Sequence, residues 1–270
     1  MRPKPLVVLL TDFGARDPFV GIMKGVILGI CPDASLVDLC HEVPAQDVLG
    51  ASFLLQTAVQ AFPAGTIHVA VVDPGVGGAR RPILAEIDGQ IFVAPDNGLL
   101  SYLLASAGRR RVRHLVAQEY WRHPVSTSFH GRDIFAPVAG HLAAGVEPAR
   151  FGPEIGDPTC LDISRPRVEP AGRIQGTVMW VDGFGNCITN IAQKDLESIT
   201  LAGRGSIRIH AGGRPLGTLV GHFGDVMPGE TGAILGSAGH VELFCNRGNL
   251  ARQWNLARGD QVLLETAAGR

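Results

Sequence analysis

The stretch Ile67–Arg80, IHVAVVDPGVGGAR, carries an apolar strand into a polar, glycine-rich turn. A second stretch, Ser128–Phe135 (SFHGRDIF), again places a base, a cation and an acid next to one another. Loops held by a rigid sheet are where active sites concentrate. The strand that ends at Asp73 and the turn that leads to Arg80 therefore predict a functional site at the edge of a sheet.

Working outward from this strand, short apolar runs alternate with helix-like segments through residues 1–165. This alternation is typical of a mostly parallel sheet covered by helices, and it predicts an N-terminal α/β domain over 1–165. The predicted strands are Leu6–Leu10, Ser35–Leu39, Ile67–Val72, Pro82–Ile87 and Ile91–Ala94. The predicted helices are Phe19–Ile30, Val48–Phe62, Leu99–Ala107 and Asp133–Ala144, with Asp47 as an N-cap and Gly145 just past a helix end.

The composition changes over residues 151–172, where prolines are spaced along a stretch without periodicity, and we interpret this stretch as a linker. Beyond it, residues 166–270 are rich in glycine and β-branched residues. Closely spaced short strands predict a smaller, antiparallel, β-barrel-like C-terminal domain. The predicted strands are Ile174–Val181, Ser206–His210, Thr218–Val220, Ala233–Leu235, His240–Phe244 and Gln261–Glu265.

Charge and composition exclude several classes of function. The chain has 270 residues and a formal net charge of −1, and its longest basic run is Arg109–Arg111, so nucleic acid is not the expected partner. We interpret that triplet as the cationic end of a helix. The five cysteines lack a C-x-x-C pair, which predicts reduced intracellular thiols. The first apolar run is too short for a signal peptide or a membrane span, so we expect a cytoplasmic protein without membrane contact.

The usual nucleotide and esterase motifs are missing from the sequence. It contains no G-x-x-x-x-G-K-[ST], no G-x-G-x-x-G and no G-x-S-x-G. Gly75–Gly78 is followed by a strand pattern at Pro82, so no helix N-terminus is available there for a pyrophosphate.

Asp73, Arg80 and His130 are the strongest candidates for catalysis. A neighbouring arginine keeps a carboxylate ionised, and such a carboxylate can orient a histidine or a water molecule. The alternative is a structural ion-pair network. For Arg132 and Asp133 we favour that alternative, because Asp133 opens a predicted helix and Arg132 can pair with it locally.

Two acids, Asp12 and Asp17, follow the first strand, where open α/β sheets bind ligands. Asp12 could accept both hydroxyls of a ribose, and helix capping is the alternative role for both residues. A metal site would need Asp12, Asp73 and His130 together with the polar group His41, Glu42 and Asp47. No close ligand pair fixes such a geometry, so we predict no metal and a turn role for His41.

The second half offers amide side chains on glycine-rich turns, at Asn186 and within Asn246–Ala251, with a further turn at Gly236–Gly239. Amides and free backbone groups suit a flat, hydrogen-bonding base such as adenine. Hairpin turns use the same residue types, so a purely structural role stays open.

The ordered set of motifs resembles one known family. In order along the chain these are TDFG, HEVPAQDV, VVDPGVGGARR, APDNGLL, FHGRDIFAP, DGFGNCITN and GSAGHVELFCNRGNLA. Together they resemble the S-adenosyl-L-methionine (SAM) hydrolases, also called SAM hydroxide adenosyltransferases, which are relatives of the fluorinase and chlorinase. The similarity covers nearly the whole chain.

This resemblance implies a homotrimer whose substrate sites lie between the N-terminal domain of one subunit and the C-terminal domain of its neighbour. It implies a catalytic triad of Asp73, Arg80 and His130. The implied substrate contacts are Asp12 at the ribose, Asp182 and Ser237 at the methionine end, Asn186 with Asn249 and Ala251 at the adenine, and Asp17 and Glu242 as further members of the set.

The implied reaction is hydrolysis of SAM to adenosine and methionine without a metal or cofactor. Gly131 stands where the fluorinase has a serine donor to halide, and the extra fluorinase loop before Asp73 is missing, so water is favoured over halide as the nucleophile. Three alternatives remain open: halide-dependent adenosyl transfer, a non-catalytic sensor of adenosine or SAM, and a metal-dependent hydrolase.

Overall fold

The computed structural model describes residues 4–169, 172–200 and 207–266, and for residues 198–200 it describes the backbone alone. The chain folds into two compact units, Met1–Ile163 and Ser164–Arg270. The predicted strand start at Ser206 lies outside the described residues.

Unit 1 contains a seven-stranded sheet within its described residues. Its strands are β1 (Leu6–Thr11), β2 (Ser35–Cys40), β3 (Ile67–Val71), β4 (Pro82–Ile87), β5 (Gln90–Pro95), β6 (Arg110–His114) and β7 (Glu154–Ile155), in the spatial order β2-β1-β3-β5-β4-β6-β7. The helices are α1 (Phe19–Ile30), α2 (Val48–Ala58), α3 (Ser101–Ser106) and α4 (Ala136–Ala143). Strands β2, β1, β3 and β5 pair in parallel, whereas β4, β6 and β7 add antiparallel pairs.

The central strands of this sheet are buried on both faces, as near-continuous apolar runs predict for parallel strands. On β3, Ile67, Val69 and Val71 pack into one apolar cluster, and Ala70 and Val72 pack into another on the opposite face. Helices α1 and α4 pack together beside the first cluster, and α2 and α3 lie beside the second. The predicted α/β class is confirmed.

One helix-end prediction was wrong, because Arg109–Arg111 does not close a helix. Helix α3 ends at Ser106, and β6 then pairs antiparallel with β4. In β6 only Val112 is buried, and its other side chains are arginines and a histidine. The single apolar residue left no alternation by which the strand could be recognised.

Other helix predictions differ from the structure at their ends. Asp47 caps α2 as predicted, since its carboxylate accepts from the Gly50 amide at 3.0 Å, but α2 ends at Ala58 and a 3₁₀ turn, Val59–Ala61, follows it. The helix predicted to begin at Asp133 instead opens with a π-helical turn, Gly131–Phe135, before α4. Gly145 follows α4 with φ +95°, in the left-handed conformation expected past a helix end.

Unit 2 forms one sheet of eight strands within its described residues. They are β8 (Arg167–Glu169), β9 (Arg173–Val181), β10 (Cys187–Ala192), β11 (Ile207–Ala211), β12 (Arg214–Thr218), β13 (Thr231–Leu235), β14 (His240–Cys245) and β15 (Gln261–Thr266). The order is β12-β11-β15-β9-β10-β14-β13, with β8 beside β9. A bridge from Leu219 to Ala233 brings the two ends together, so the sheet is nearly closed into a barrel. Helices α5 (Gln193–Thr200) and α6 (Leu250–Trp254) accompany it.

Sequence patterning missed β10 and shifted β12. Strand β10 reads CITNIA, and its buried Thr189 and Asn190 break the apolar alternation. The strand predicted at Thr218–Val220 lies at Arg214–Thr218, paired with β11 across the Gly212–Gly213 turn. Among the helices of the described residues, none has both the length and the apolar character needed to cross a bilayer.

His68 is a buried imidazole in the middle of β3. It is 1% exposed, stacks on Phe92 with ring centroids 4.8 Å apart, and its Nε2 lies 2.5 Å from Gln90 Oε1. The amide nitrogen of Gln90 donates to the Val59 carbonyl oxygen at 3.0 Å, so Gln90 Oε1 accepts and His68 Nε2 carries the proton. Burial lowers the pKa of His68, with the Gln90 contact acting in the opposite direction.

We expect His68 to make the free energy of unfolding depend on pH. Because its pKa is lowered in the folded state, the unfolded chain takes up the proton first, and stability is lost as the pH falls below the ordinary value of 6.5. Relative to His68→Phe, the native protein should lose roughly 1 kcal/mol more between pH ~7.5 and ~5.5 in urea unfolding. His123→Phe, at an exposed histidine, serves as the control. Equal losses in native protein and His68→Phe would contradict this assignment.

Candidate active site

The structure brings Asp73, Arg80 and His130 together at the end of β3. Arg80 Nε donates to both carboxylate oxygens of Asp73 at 3.0 Å, and Arg80 Nη2 makes a further short contact with Asp73 Oδ2. The same Nη2 lies 2.7 Å from His130 Nδ1. The Asp73 and Arg80 side chains are only 4% and 9% exposed. One guanidinium therefore fixes both a carboxylate and an imidazole.

The turn between Asp73 and Arg80 allows this approach because it contains glycine where a side chain would not fit. Gly77 has φ +76°, and a Cβ there would collide with the carbonyl oxygen of Thr127, in the loop that leads to His130. Asn97 secures the strand end, since its Nδ2 donates to the Val72 carbonyl oxygen at 2.8 Å. The two loops that carry the cluster are thus packed backbone against backbone.

His130 lies at the start of the π-helical turn, a feature found often at functional sites. Asp133, within this turn, points inward: it accepts from Arg132 Nε at 2.7 Å and from the Ser126 amide at 2.9 Å, which bears out the local ion pair predicted for it. Arg80 can only donate, so His130 Nδ1 accepts and the neutral ring carries its proton on Nε2. Burial lowers the pKa of His130, and the charge of Arg80 lowers it further, against the opposing effect of Asp73.

The two acids after β1 differ in their surroundings. Asp12 Oδ2 accepts from the Gln46 amide at 2.8 Å, and within the described residues its Oδ1 has no hydrogen-bond partner. Asp17 is exposed, and α1 begins after Pro18 without a side-chain cap. Neither acid therefore caps α1, which was the alternative role considered for them.

Unit 2 contains a cavity of about 550 Å³. Four of the predicted substrate contacts line it: Asp182, Asn186, Ser237 and Glu242. Apolar side chains complete its wall, among them Phe184, which is 79% exposed. A concave site of this size with a few converging polar groups is typical of small-molecule binding.

Two carboxylates share one amide in this cavity. Asn186 Nδ2 donates to Glu242 Oε1 at 2.9 Å and to Asp182 Oδ2 at 3.2 Å, while Asp182 Oδ1 accepts from the Phe184 and Asn186 amides at 2.9 Å. Burial raises the pKa of Glu242, and the nearby charge of Asp182 raises it further, against the Asn186 hydrogen bond. A cationic ligand group would relieve this like-charge contact.

The remaining two predicted contacts are used differently. Asn249 is the N-cap of α6, and its Oδ1 accepts from the Arg252 amide at 2.8 Å. The Ala251 amide donates to the Gly185 carbonyl oxygen at 3.0 Å. Gly185 has φ +85°, and a Cβ at this position would overlap the Asn249 side chain. Both residues therefore hold the turn before Asn186 and do not line the cavity.

The acids and histidines considered as metal ligands are not gathered into one set. His41 Nε2 contacts Asp38 at 2.9 Å and its Nδ1 contacts Thr11 at 2.9 Å, while Asp47 caps α2. In the described ranges, no three His, Cys, Asp or Glu side chains are arranged to hold a metal ion.

Sequence analysis overlooked the groups that support the cluster. Phe135 lies beside Arg80, with the guanidinium carbon 5.4 Å from the ring centre, and Phe13, Phe19 and Phe129 make mutual edge-to-face contacts. Asp38 and Thr11, on either side of His41, were not singled out either. Their positions at the ends of adjacent parallel strands were the signal that could have identified them.

Family models match both units. The model described as the SAM hydroxide adenosyltransferase N-terminal domain covers residues 7–152, and the C-terminal domain model covers 176–263. The chain belongs to the SAM hydroxide adenosyltransferase family. The resemblance stated from the motifs is thereby confirmed.

Relatives within this family are similar over their full length. A protein of Thermus thermophilus named (R)-S-adenosyl-L-methionine hydrolase is 37% identical, over 98% of this chain and 100% of its own. One of the same name from Salinispora tropica is 36% identical over 97% and 98%. A fluorinase of Nocardia brasiliensis is 27% identical over 96% of each chain. An uncharacterised conserved protein of Thermotoga maritima has a similar crystal structure, with a TM-score of 0.91 and 35% identity over 96% and 99% of the two chains.

We expect Gly77→Ala to disable the cluster, because the added Cβ would push the Asp73 turn away from Thr127. A displacement of about 1 Å in an active site can cost ~10²-fold in rate, so we expect a loss of that order in kcat/KM for the family's reaction. Gly213→Ala is the matched control, since Gly213 also has φ +76° but has open space around it. Equal activity of the two variants would show that the contact with Thr127 does not position the cluster.

Proposed function

We propose that this protein hydrolyses S-adenosyl-L-methionine to adenosine and L-methionine, with water as the nucleophile at C5′. The observation that carries the proposal is the buried Asp73–Arg80–His130 cluster, in a chain 37% identical to a protein named for this hydrolysis. The cysteine pattern and the family resemblance support action in the cytoplasm, and the resemblance supports a homotrimer, which sedimentation of the purified protein would test.

The leaving group requires no general acid. A sulfonium departs as a neutral thioether, so the residues need only align and deprotonate the nucleophile. Water has a pKa of ~15.7 and an ordinary aspartic acid ~3.9, so full deprotonation by Asp73 before attack would cost roughly 16 kcal/mol. We therefore assign a late proton transfer, to Asp73, as the C–O bond forms and the attacking oxygen becomes acidic.

His130 acts as a donor in this scheme. Its Nδ1 is engaged by Arg80, and we assign to its Nε2–H the stabilisation of hydroxide-like charge on the attacking oxygen. The tautomer of His130 favours Asp73 as the group that accepts the proton. Arg80 holds both partners, and burial together with the charge of Arg80 lowers the pKa of His130, which favours the neutral ring.

The surroundings of Gly131 favour water over halide. A Cβ at this position would lie 3.1 Å from Met23 Sδ and 3.1 Å from the ring of Phe129, so a serine side chain would fit only if these neighbours moved. A halide donor at the position where the fluorinase has its serine would therefore require Met23 and Phe129 to shift by a few tenths of an ångström.

In unit 2, the Asp182–Glu242 pair suits the α-ammonium of the methionine half. Two carboxylates in one partly buried cavity are repelled by each other and stabilised by a cation. Asn186 bridges them, which fixes the spacing that such a group would meet.

Purified protein incubated with SAM should release adenosine and methionine in equal amounts, resolved by chromatography. Asp73→Asn keeps the side-chain shape but removes the proton acceptor, and we expect a ~10²–10⁴-fold lower kcat. Activity should persist with a strong chelator, and excess chloride should yield no 5′-chloro-adenosine. SAM binding without turnover would support the sensor instead, and activity lost to the chelator would support a metal-dependent hydrolase.

His130→Asn tests the donor role, because the asparagine oxygen can replace Nδ1 as the acceptor from Arg80 while nothing replaces Nε2. We expect kcat to fall by ~10²–10³-fold with little change in KM. In the native protein, neutral His130 is the active form and its pKa lies below 6.5, so activity should be retained as the pH falls through 6.5 and be lost only below it.

In His130→Asn the acidic loss that arises from His130 should disappear from the pH profile. His123→Asn, at an exposed histidine, should match the native enzyme. An unchanged kcat in His130→Asn would contradict the donor role.

A further inference from the structure

A chain of hydrogen bonds outside the Asp73–Arg80–His130 cluster ends at Thr11, the residue before Asp12. Lys24 Nζ donates to Asp38 Oδ2 at 2.6 Å, and His41 Nε2 lies 2.9 Å from Asp38 Oδ1. His41 Nδ1 lies 2.9 Å from Thr11 Oγ1. The function proposed above does not use these hydrogen bonds, which we call the Lys24–Thr11 relay.

The direction of each hydrogen bond in the relay follows from its acidic end. Burial acts to raise the pKa of Asp38, but the hydrogen bonds and charges of Lys24 and His41 outweigh it, and the pKa lies below its ordinary value. An ionised carboxylate only accepts, so His41 carries a proton on Nε2. In the tautomer with its single proton on Nε2, the His41 ring accepts a hydrogen bond from the Thr11 hydroxyl at Nδ1, and Thr11 Oγ1 accepts from the Phe13 amide at 3.2 Å.

Acid, imidazole and hydroxyl in this order are also the parts of a nucleophilic triad. Thr11 is 0% exposed, however, so no substrate reaches its oxygen. The relay ends in the backbone of the Thr11–Gly14 turn, which indicates that it positions that turn.

Segment 41–46, which includes His41, holds the turn at three further points. The Gly14 amide donates to the His41 carbonyl oxygen at 2.7 Å, and the Ala15 amide donates to Glu42 Oε1 at 3.0 Å. Gln46, with φ +66°, directs its amide at Asp12 Oδ2 at 2.8 Å. A non-glycine residue persists in this conformation only where its surroundings enforce it. Segment 41–46 therefore fixes one oxygen of Asp12 and leaves Oδ1 without a hydrogen-bond partner among the residues that the structure describes.

We propose that His41 is a positioning residue: held by Asp38 and Lys24, it fixes the Thr11–Gly14 turn so that Asp12 presents Oδ1 to the ribose hydroxyls of the substrate. The proposal rests on the proposed function, because the ribose contact of Asp12 is part of it. It assigns to His41 a role in recognising the diol that does not involve contact with substrate.

The test compares binding of adenosine with binding of 2′,3′-dideoxyadenosine, by calorimetry. Hydrogen bonds to a charged group contribute roughly 1.5–3 kcal/mol each, and the dideoxy compound lacks two, so we expect the native protein to prefer adenosine by about 10²- to 10⁴-fold. Asp12→Ala should abolish that preference. His41→Leu and Asp38→Ala should reduce it to within about threefold of that in Asp12→Ala, since both variants release the turn.

One variant serves as a matched control. Asp33→Ala removes an exposed acid from the loop between α1 and β2 and should retain the preference. A loss of thermal stability alone weakens both ligands equally, so the ratio of the two affinities separates positioning from general destabilisation.

The outcomes separate the two proposals. A native preference that Asp12→Ala abolishes but His41→Leu and Asp38→Ala retain would overturn the role of His41 and leave the proposed function intact. Native protein that neither binds adenosine nor cleaves SAM would overturn the proposed function, and this inference with it. Should His41→Leu fail to fold, Asp38→Ala decides, because Asp38 lies at the accessible end of the relay with 46% of its side chain exposed.

Discussion

The contact on which the candidate site depends is the Arg80 guanidinium shared between Asp73 and His130. Both members of the ion pair are almost fully buried. Taking two charges out of water costs several kcal/mol per ion, and well-packed apolar residues often serve stability as well or better. Stability alone therefore does not explain a buried ion pair at a strand end. Its result is chemical, since one cation is hydrogen-bonded to both a carboxylate and an imidazole and, with burial, lowers the pKa of that imidazole.

This geometry requires two loops to approach more closely than side chains allow. Glycine at position 77 permits the backbone contact with Thr127, and the π-helical turn after His130 turns Asp133 inward to bind Arg132 and Ser126. The α/β sheet supplies a rigid base, because β3 is buried on both faces immediately before Asp73. The precision of the site thus comes from the sheet, and its shape comes from irregular backbone.

Much of unit 1 could be predicted from sequence because its central strands and α1 are strongly apolar at regular spacing. Prediction failed for strands that lack a regular alternation of buried apolar residues. Strand β6 has only Val112 in the core, and β10 buries the polar residues Thr189 and Asn190. The residues of the Asp73–Arg80–His130 cluster could be named from local motifs. Their mutual contacts, the tautomer of His130 and the relay through His41 depend on residues distant in sequence, which patterning does not bring together.

The cluster and the relay apply the same physical principle to two neighbouring strand ends. In each, a group with a fixed charge determines which nitrogen of a histidine carries the proton: Arg80 does so by donating to His130 Nδ1, and Asp38 by accepting from His41 Nε2. In both rings Nδ1 accepts. In the mechanism proposed above the Nε2–H of His130 serves the attacking oxygen, whereas that of His41 is bound by Asp38. On these two proposals, the partner that fixes the tautomer distinguishes a histidine assigned to the reaction from one assigned to shaping the site.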